Sequence, residues 1–403
     1  MTVTAEVAAS HRVGPRRLMT LLGGRATFRL LLYGSAGVLV AAWSRDDFNR
    51  YAAAMGATGW LCMVVQSGPE KAALRLIPRA RRTREPLAGV LRAILAYVPI
   101  PFTVAAAAGF VLAPDAIITV YLLGAAYYVS LGCGMLGVAV HRALGRYTPD
   151  TVHFALLGLG MLAMAGLAFA VPVRPAGYLA GLLVLSTVLN FVLLRGLPRT
   201  VRPPHRALRR VLAGTVVLMG TADVMSNAMV GALFVELALT SHASQSGDLY
   251  VMILGWGFTV SVTYTLQRIY QPRLSLRMAS GGAAEARALG RRVARLSVWM
   301  SATWLVLAGT ALIGGLAGTR SLVALGGLLL SMLPVYALTS FGIFMLENTD
   351  EAGLRSSAKA AVMALVAVIA LGALVIPLAG AAGAVYALGA NGFVLGLVLR
   401  RGR

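Results

Sequence analysis

Long apolar runs, separated by short polar segments, dominate the pattern along this 403-residue chain. Each run covers about 20 residues with few charges, which is the length that a helix needs to cross the hydrocarbon core of a membrane. Lipid offers no water to bond the backbone, so each run must be helical. The pattern predicts twelve transmembrane helices, at about 24–43, 51–68, 87–112, 115–140, 151–171, 176–196, 211–237, 249–269, 293–317, 321–346, 357–378 and 381–399.

The distribution of basic residues supports this division. If the N-terminus is cytoplasmic, the odd-numbered loops lie outside, and they contain only four of the 36 Lys and Arg residues. These four are Arg45, Arg50, Arg174 and Arg320. The other basic residues lie within predicted helices or cluster in the remaining segments, such as 79–84, 195–210, 268–295 and 400–403. Cytoplasmic segments carry such an excess, so both termini are predicted to be cytoplasmic.

Composition points to a membrane protein and narrows its partners. Hydrophobic residues make up 58% of the chain, charged residues 12%, and the mean hydropathy is +0.78, so lipid is expected to be the solvent of its surface. The net charge of +22 is split into short clusters between apolar runs, which argues against nucleic acid as a partner. Cys62 and Cys133 lie in apolar runs without metal-ligand spacing, so neither metal nor cofactor is expected.

The first apolar run lacks a signal-peptide cleavage pattern and is interpreted as a retained helix. Arg greatly outnumbers Lys, and Ala and Gly are abundant, which indicates a GC-rich bacterial genome. Together with the apolar runs, these features predict a multi-pass protein of the bacterial cytoplasmic membrane.

A Pro- and Arg-rich stretch at 197–210 divides the chain into two halves of six predicted helices. The predicted fold is therefore an all-α polytopic membrane protein with two six-helix lobes, residues 1–200 and 201–403. An even number of helices per half gives parallel repeats, which is a common plan of transporters. All loops are short, and the chain has no Walker A sequence, H-E-x-x-H pair or G-x-S-x-G elbow, so no enzyme activity is expected.

Asp223 is the most informative polar residue, because it falls near the middle of the seventh predicted helix. Asn227 follows one turn later on the same face. A carboxylate at that depth needs a wet cavity or a partner. Two interpretations stay open: a cavity group that takes up a proton or cation during transport, or a carboxyl that joins neighbouring helices.

Four arginines are candidate substrate-binding residues. Arg29 lies inside the first predicted helix, with Arg25 one turn before it, and a guanidinium at such depth fits a cavity that binds phosphate. Arg92 and Arg268 are candidates of the same kind. The alternative for each is a side chain that extends to the lipid headgroups, and for all except Arg29 this alternative is favoured.

Four segments carry a resemblance to a known family. They are 47–51 (DFNRY), 68–75 (GPEKAALR), 270–275 (YQPRLS) and 380–384 (GAAGA). Over nearly its whole length the chain resembles the polysaccharide-flippase branch of the multidrug/oligosaccharidyl-lipid/polysaccharide exporter superfamily. The start of the second predicted helix departs from the aromatic-glycine-tyrosine motif that this family usually has at that position. The twelve predicted helices also do not fit the peptidoglycan-precursor branch, whose members have fourteen.

The resemblance implies two lobes, alternating access and a substrate of isoprenoid-pyrophosphate-linked oligosaccharide moved to the outer leaflet. It also implies membrane lipids as partners, with a glycan polymerase or glycosyltransferases of the same pathway as further candidates. One alternative is a drug or metabolite antiporter of the same superfamily, which Asp223 would favour. Another is a membrane-embedded glycosyltransferase or polymerase using Asp46 and Asp47. A major-facilitator transporter is disfavoured, because its acidic signature between helices 2 and 3 is missing.

Overall fold

A computed structural model describes residues 15–77, 83–199, 206–260, 283–316, 321–347 and 351–401. Every regular element in these ranges is helical. The helices are α1 (Pro15–Ala42), α2 (Arg45–Thr58), α3 (Trp60–Leu76), α4 (Arg84–Tyr97), α5 (Pro99–Leu112), α6 (Ile117–Ala143), α7 (Thr148–Ala170), α8 (Pro175–Arg195), α9 (Arg206–Ala238), α10 (246–260), α11 (Ala283–Ala311), α12 (Leu322–Ser331), α13 (Leu333–Glu347) and α14 (Glu351–Arg401). A 3₁₀ turn (Ala243–Gln245) precedes α10, and a π turn (Leu312–Leu316) follows α11.

Within the described ranges, eight helical segments are long and apolar enough to cross a membrane. They are Arg84–Leu112, Ile117–Ala143, Thr148–Ala170, Pro175–Arg195, Arg209–Ala238, Ala288–Leu316, Leu322–Met345 and Ala352–Arg400. The prediction of an all-α polytopic membrane protein is confirmed, whereas the number of twelve helices stays a prediction. The second predicted helix is absent from the eight, because it falls on α2 and α3, which have 14 and 17 residues and are each shorter than a membrane span.

The last of these segments contains two predicted helices. α14 has 51 residues, and a straight helix of that length would measure about 76 Å, more than twice the thickness of a hydrocarbon core of about 30 Å. Gly380 interrupts it with φ of 57° and ψ of −134°, a conformation that only glycine adopts readily. The side chain of Gln245 fills the space beside Gly380, and its Oε1 accepts the Ala381 N–H at 2.8 Å. The break falls where helices 11 and 12 were predicted to meet.

The boundaries of the second predicted helix differ most from expectation. The sequence predicted a loop at 44–50, but α2 begins at Arg45, where Ser44 Oγ accepts the Asp47 N–H at 3.2 Å. Asp46 and Asp47 lie in the first turn, where carboxylates oppose the positive end of the helix dipole. α3 follows across Gly59, whose backbone stays helical, and it continues to Leu76.

Helices from each half of the sequence pack mainly with one another. In the first half α1 packs on α7, and α6 packs on α3, α5 and α8. In the second half α14 packs on α9, α11 and α13. α9 also packs extensively on α2 and α3, so it joins the two halves, and one apolar core runs through both.

Candidate functional site

Helices α3 and α9, from opposite halves of the sequence, approach each other closely. A Cβ on Gly68 would overlap the carbonyl oxygen of Val216, and a Cβ on Gly220 would lie 3.0 Å from the Gly68 Cα. Small residues let membrane helices pack backbone to backbone in this way. No side chain or ligand fits between the helices at this level.

One turn further along α3, Lys71 pairs with Asp223 of α9. The Lys71 Nζ lies 2.9 Å from the Asp223 Oδ2 and donates to the Met219 carbonyl oxygen at 3.1 Å. Ser67 Oγ donates to the same carboxylate oxygen at 2.5 Å. The Lys71 side chain is 11% exposed and the Asp223 side chain 27%. The predicted intramembrane carboxylate thus bonds two donors from the other half of the chain.

We refer to this region as the Lys71 contact. It consists of Ser67, Gly68 and Lys71 on α3 with Val216, Met219, Gly220 and Asp223 on α9.

A second charged network begins at Glu70, the residue before Lys71 on α3, and joins helices of the first half. The Glu70 Oε1 lies 2.7 Å from Arg142 NH2 of α6, and Gln66 Nε2 donates to Glu70 Oε2 at 2.7 Å. Arg142 Nε also lies 3.2 Å from Oδ2 of the buried Asp150 on α7. That last pair is an ion pair without hydrogen-bond geometry. These contacts tie α3 to α6 and α7, which are all helices of the first half.

Arg29 makes a further contact between the halves. Its NH1 donates to the Gly257 carbonyl oxygen of α10 at 3.0 Å. One turn later on α1, the Tyr33 ring meets the Phe258 ring edge to face, with centroids 6.1 Å apart. The guanidinium has five N–H donors, so this bond leaves capacity for an anionic ligand.

Two other predicted residues have local partners. Asn227 Nδ2 donates to the Asp223 carbonyl oxygen at 2.9 Å, which is a bond within α9. Arg92 Nε donates to the Leu194 carbonyl oxygen at 3.3 Å, at the C-terminal end of α8. A guanidinium is favourable at the negative end of a helix dipole, so Arg92 links α4 to α8.

The predicted residues do not all come together. Arg29 bonds α10, whereas Asp223 bonds α3, so the two lie in different helix pairs. Their positions within apolar runs predict that Arg29 and Asp223 face the same cavity, and this stays a prediction. Arg25 lies in α1, but its side chain is not described, and Arg268 lies outside the described residues.

The halves also meet at the start of α2, in a region that we call the Asn49 contact. Asn49 Oδ1 accepts the Gly247 N–H at 2.9 Å in a buried bond, and Arg45 NH2 lies 3.2 Å from Asp248 Oδ2 near the surface. Aromatic rings cover the buried side, namely Phe48 and Tyr51 of α2 against Tyr250 of α10. Asn49 and Lys71 are separated by roughly 33 Å along α2 and α3 at 1.5 Å per residue, about the thickness of a hydrocarbon core.

Ser67 and Lys71 were not predicted from the sequence as functional candidates. A signal was present, because Lys71 and Lys359 are the only lysines in a chain whose basic residues are otherwise arginine. Ser67 and Lys71 are also four residues apart, so they share one face of a helix.

The structure also contains a shallow apolar groove of about 530 Å³ between α1 and α7. It holds none of the predicted site residues, and its lining consists of Gly34, Gly37, Val38, Ala41, Gly166 and Phe169.

Comparison with solved structures shows which fold this is. The structure matches lipid II flippase MurJ in an inward closed conformation with a TM-score of 0.64 at 10% identity, over 96% of this chain and 87% of that one. It matches a mutant of the Vibrio cholerae MATE transporter VcmN with a TM-score of 0.58 at 12% identity, over 95% and 94% of the two chains. An inward-facing multidrug resistance MATE family transporter of the MOP superfamily gives 0.56 at 11% identity, over 95% and 92%.

No protein-family model matches the sequence, and no curated protein matches it either. The chain therefore has the fold of MOP superfamily transporters, and its particular activity has to be argued from its own residues.

Proposed function

We propose that this protein is a membrane transporter that flips an isoprenoid-pyrophosphate-linked oligosaccharide from the cytoplasmic to the outer leaflet by alternating access. The observation that carries the proposal is the pair of contacts between the halves, the Lys71 contact and the Asn49 contact, about one membrane thickness apart. Opening either one while the other stays closed would expose a central path to one side of the membrane at a time. Residues 1–200 and 201–403 would be the two moving lobes.

The basic groups at the contacts between the halves favour an anionic substrate. Arg29 and Lys71 both bond the opposite half, so both would lose partners when the halves separate. Arginine and lysine are the side chains that bind phosphate groups most readily. A lipid-linked glycan carries its charge in the diphosphate, which places the recognised group beside these cations and leaves the sugar and isoprenoid chain less constrained.

The experiment is mass spectrometry of isoprenoid lipids from a bacterial strain that lacks this gene, with and without a membrane-impermeant sugar label. A complete lipid-linked oligosaccharide that the label cannot reach is expected to accumulate. The gene encoding the native chain should restore labelling, whereas Arg29→Met should restore it poorly. An Arg355→Met variant, which removes an exposed guanidinium of α14, is the matched control. An incomplete glycan would instead indicate an enzyme of the pathway.

A second function, drug or metabolite antiport, is favoured by one observation. Asp223 is a carboxylate within a membrane helix, and its ion pair with Lys71 joins the halves, so protonation would weaken that contact. An unchanged isoprenoid-lipid profile in the strain without the gene would favour this antiporter over the flippase.

A further inference from the structure

We propose that Lys71 binds the diphosphate of the transported lipid, and that Asp223 occupies Lys71 in the closed state as an internal competitor of that diphosphate. The inference rests on the proposed function, because it names the group that recognises the anionic part of the substrate. It also assigns a role to a carboxylate that would otherwise repel the same substrate.

The partners of Lys71 give the first argument. The acceptors at 2.9 and 3.1 Å from its ammonium group, Asp223 Oδ2 and the Met219 carbonyl oxygen, both belong to α9. Lys71 itself belongs to α3, so separation of α3 from α9 removes these two acceptors, including the carboxylate. An ammonium group that loses its carboxylate partner at this level is expected to favour another anion, because charge is costly to desolvate without compensation.

The chemistry of the competing anions gives the second argument. A carboxylate and a phosphate offer an ammonium group the same kind of charge-assisted hydrogen bond. The diphosphate ester carries more negative charge than one carboxylate and has more acceptor oxygens. The diphosphate bound to Lys71 in the open state is therefore expected to outcompete return of Asp223 to Lys71.

The close approach of the helices couples this exchange to opening. Gly68 lies against the Val216 carbonyl oxygen one turn from Lys71, so no phosphate group fits while α3 and α9 are in contact. The diphosphate would therefore bind only after the helices separate. A ligand that binds one state and not the other shifts the equilibrium toward the state it binds.

The neighbouring pair, Glu70 with Arg142, shows what a purely structural ion pair looks like in this protein. It joins α3 to α6 within the first half, so it can persist whether the halves are together or apart. The Lys71 pair differs because its two members are on opposite sides of the moving interface.

Substitutions of Lys71 and of Asp223 are predicted to have opposite effects on the affinity for a lipid diphosphate. The purified protein would be titrated with farnesyl diphosphate and, separately, with inorganic pyrophosphate. Lys71→Gln is expected to weaken binding of farnesyl diphosphate about tenfold, which is the effect of losing one charge-assisted hydrogen bond of roughly 1.4 kcal/mol. Asp223→Asn removes the competitor and is expected to strengthen binding severalfold. If both variants weaken binding, or neither changes it, the inference is wrong.

Two matched controls separate this effect from a general change in charge. Lys359→Gln removes the other lysine, which is exposed on α14, and should leave binding unchanged. Glu70→Gln removes a carboxylate next to Lys71 that pairs with Arg142 of the first half, and should strengthen binding much less than Asp223→Asn. An equal gain from both carboxylate variants would overturn the competitor role.

A labelling measurement tests the same idea without relying on the Lys71 variant folding. An amine-reactive reagent should modify Lys71 far more slowly than Lys359 in the native chain, because the Lys71 side chain is 11% exposed. Asp223→Asn should speed the labelling of Lys71, and farnesyl diphosphate should slow it again. Unchanged labelling of Lys71 in both experiments would contradict the inference.

The outcomes also distinguish this inference from the proposed function. If the native protein binds neither ligand, the proposed function itself fails. If farnesyl diphosphate binds the native protein and Lys71→Gln equally well, only the role of Lys71 fails. Weaker binding of inorganic pyrophosphate is expected for a lipid site, and equal binding of the two ligands would overturn the assignment to a lipid.

Discussion

The Lys71 contact and the Asn49 contact join the same two halves of the chain by different forces. At the Lys71 contact the charges are largely buried, and glycine brings the helix backbones together. At the Asn49 contact the charged pair is near the surface, with the Arg45 side chain 58% exposed, while an amide hydrogen bond and aromatic rings are buried. A charged ligand can therefore act directly on the first contact, whereas the second is held mainly by apolar packing.

The largest effect is expected from a side chain placed where the two helix backbones touch. Gly68→Val would place a side chain against the Val216 carbonyl oxygen, and overpacking of this kind lowers the free energy of unfolding by about 3 kcal/mol. The midpoint of thermal unfolding in detergent should fall, and amine labelling of Lys71 should accelerate. Gly214→Val is the control, because a Cβ at that position of α9 meets no atom within 4 Å. Equal effects of the two variants would show that the backbones do not touch at Gly68.

A smaller effect is expected from the ion pair. Lys71→Met leaves the Asp223 carboxylate without its cation and should lower the free energy of unfolding by about 2 kcal/mol. Adding Asp223→Leu should recover most of this loss, because replacing both members of a buried pair by apolar groups is often neutral. The measurement is a double-mutant cycle of thermal unfolding, and additive losses would rule out the pairing.

The smallest effect is expected at the surface of the Asn49 contact. Arg45→Ala removes an exposed partner of Asp248 and should change the free energy of unfolding by under about 1 kcal/mol, with a difference that disappears in high salt. Asn49→Ala should have a larger effect, since it leaves the buried Gly247 N–H without its acceptor. A larger loss in the free energy of unfolding for Arg45→Ala than for Asn49→Ala would contradict the conclusion that the buried hydrogen bond contributes more than the surface ion pair.

Most of the helical plan follows from the apolar runs, because a run of that length in lipid has no alternative to a helix. The junction of the last two predicted helices could also be placed, since Gly380 lies between the two apolar runs. The extent of the second predicted helix could not. Glu70 and Lys71 end the apolar run near residue 68, yet α3 continues to Leu76, because Arg142 and Asp223 neutralise their charges.

The candidate site also contains residues that could be predicted from the sequence and partners that could not. Asp223 and Arg29 stand out in the sequence, because charged side chains are rare within apolar runs. Their partners could not be predicted, since Lys71 is 152 positions from Asp223 and Gly257 is 228 from Arg29. One sequence shows which groups need a partner, but the helix packing decides which partner each one meets.

Cross-linking of the Asn49 contact tests the central claim of alternating access most directly. Arg45→Cys with Asp248→Cys would be joined by a short bis-methanethiosulfonate, whose two ends each form a disulfide with a cysteine and release methanesulfinate, while the native Cys62 and Cys133 are buried. Delivery of lipid-linked oligosaccharide to the outer leaflet should stop in the cross-linked protein and resume after reduction, with either single cysteine variant unaffected by the reagent. Unchanged delivery through the cross-linked protein would contradict transport by opening of this contact.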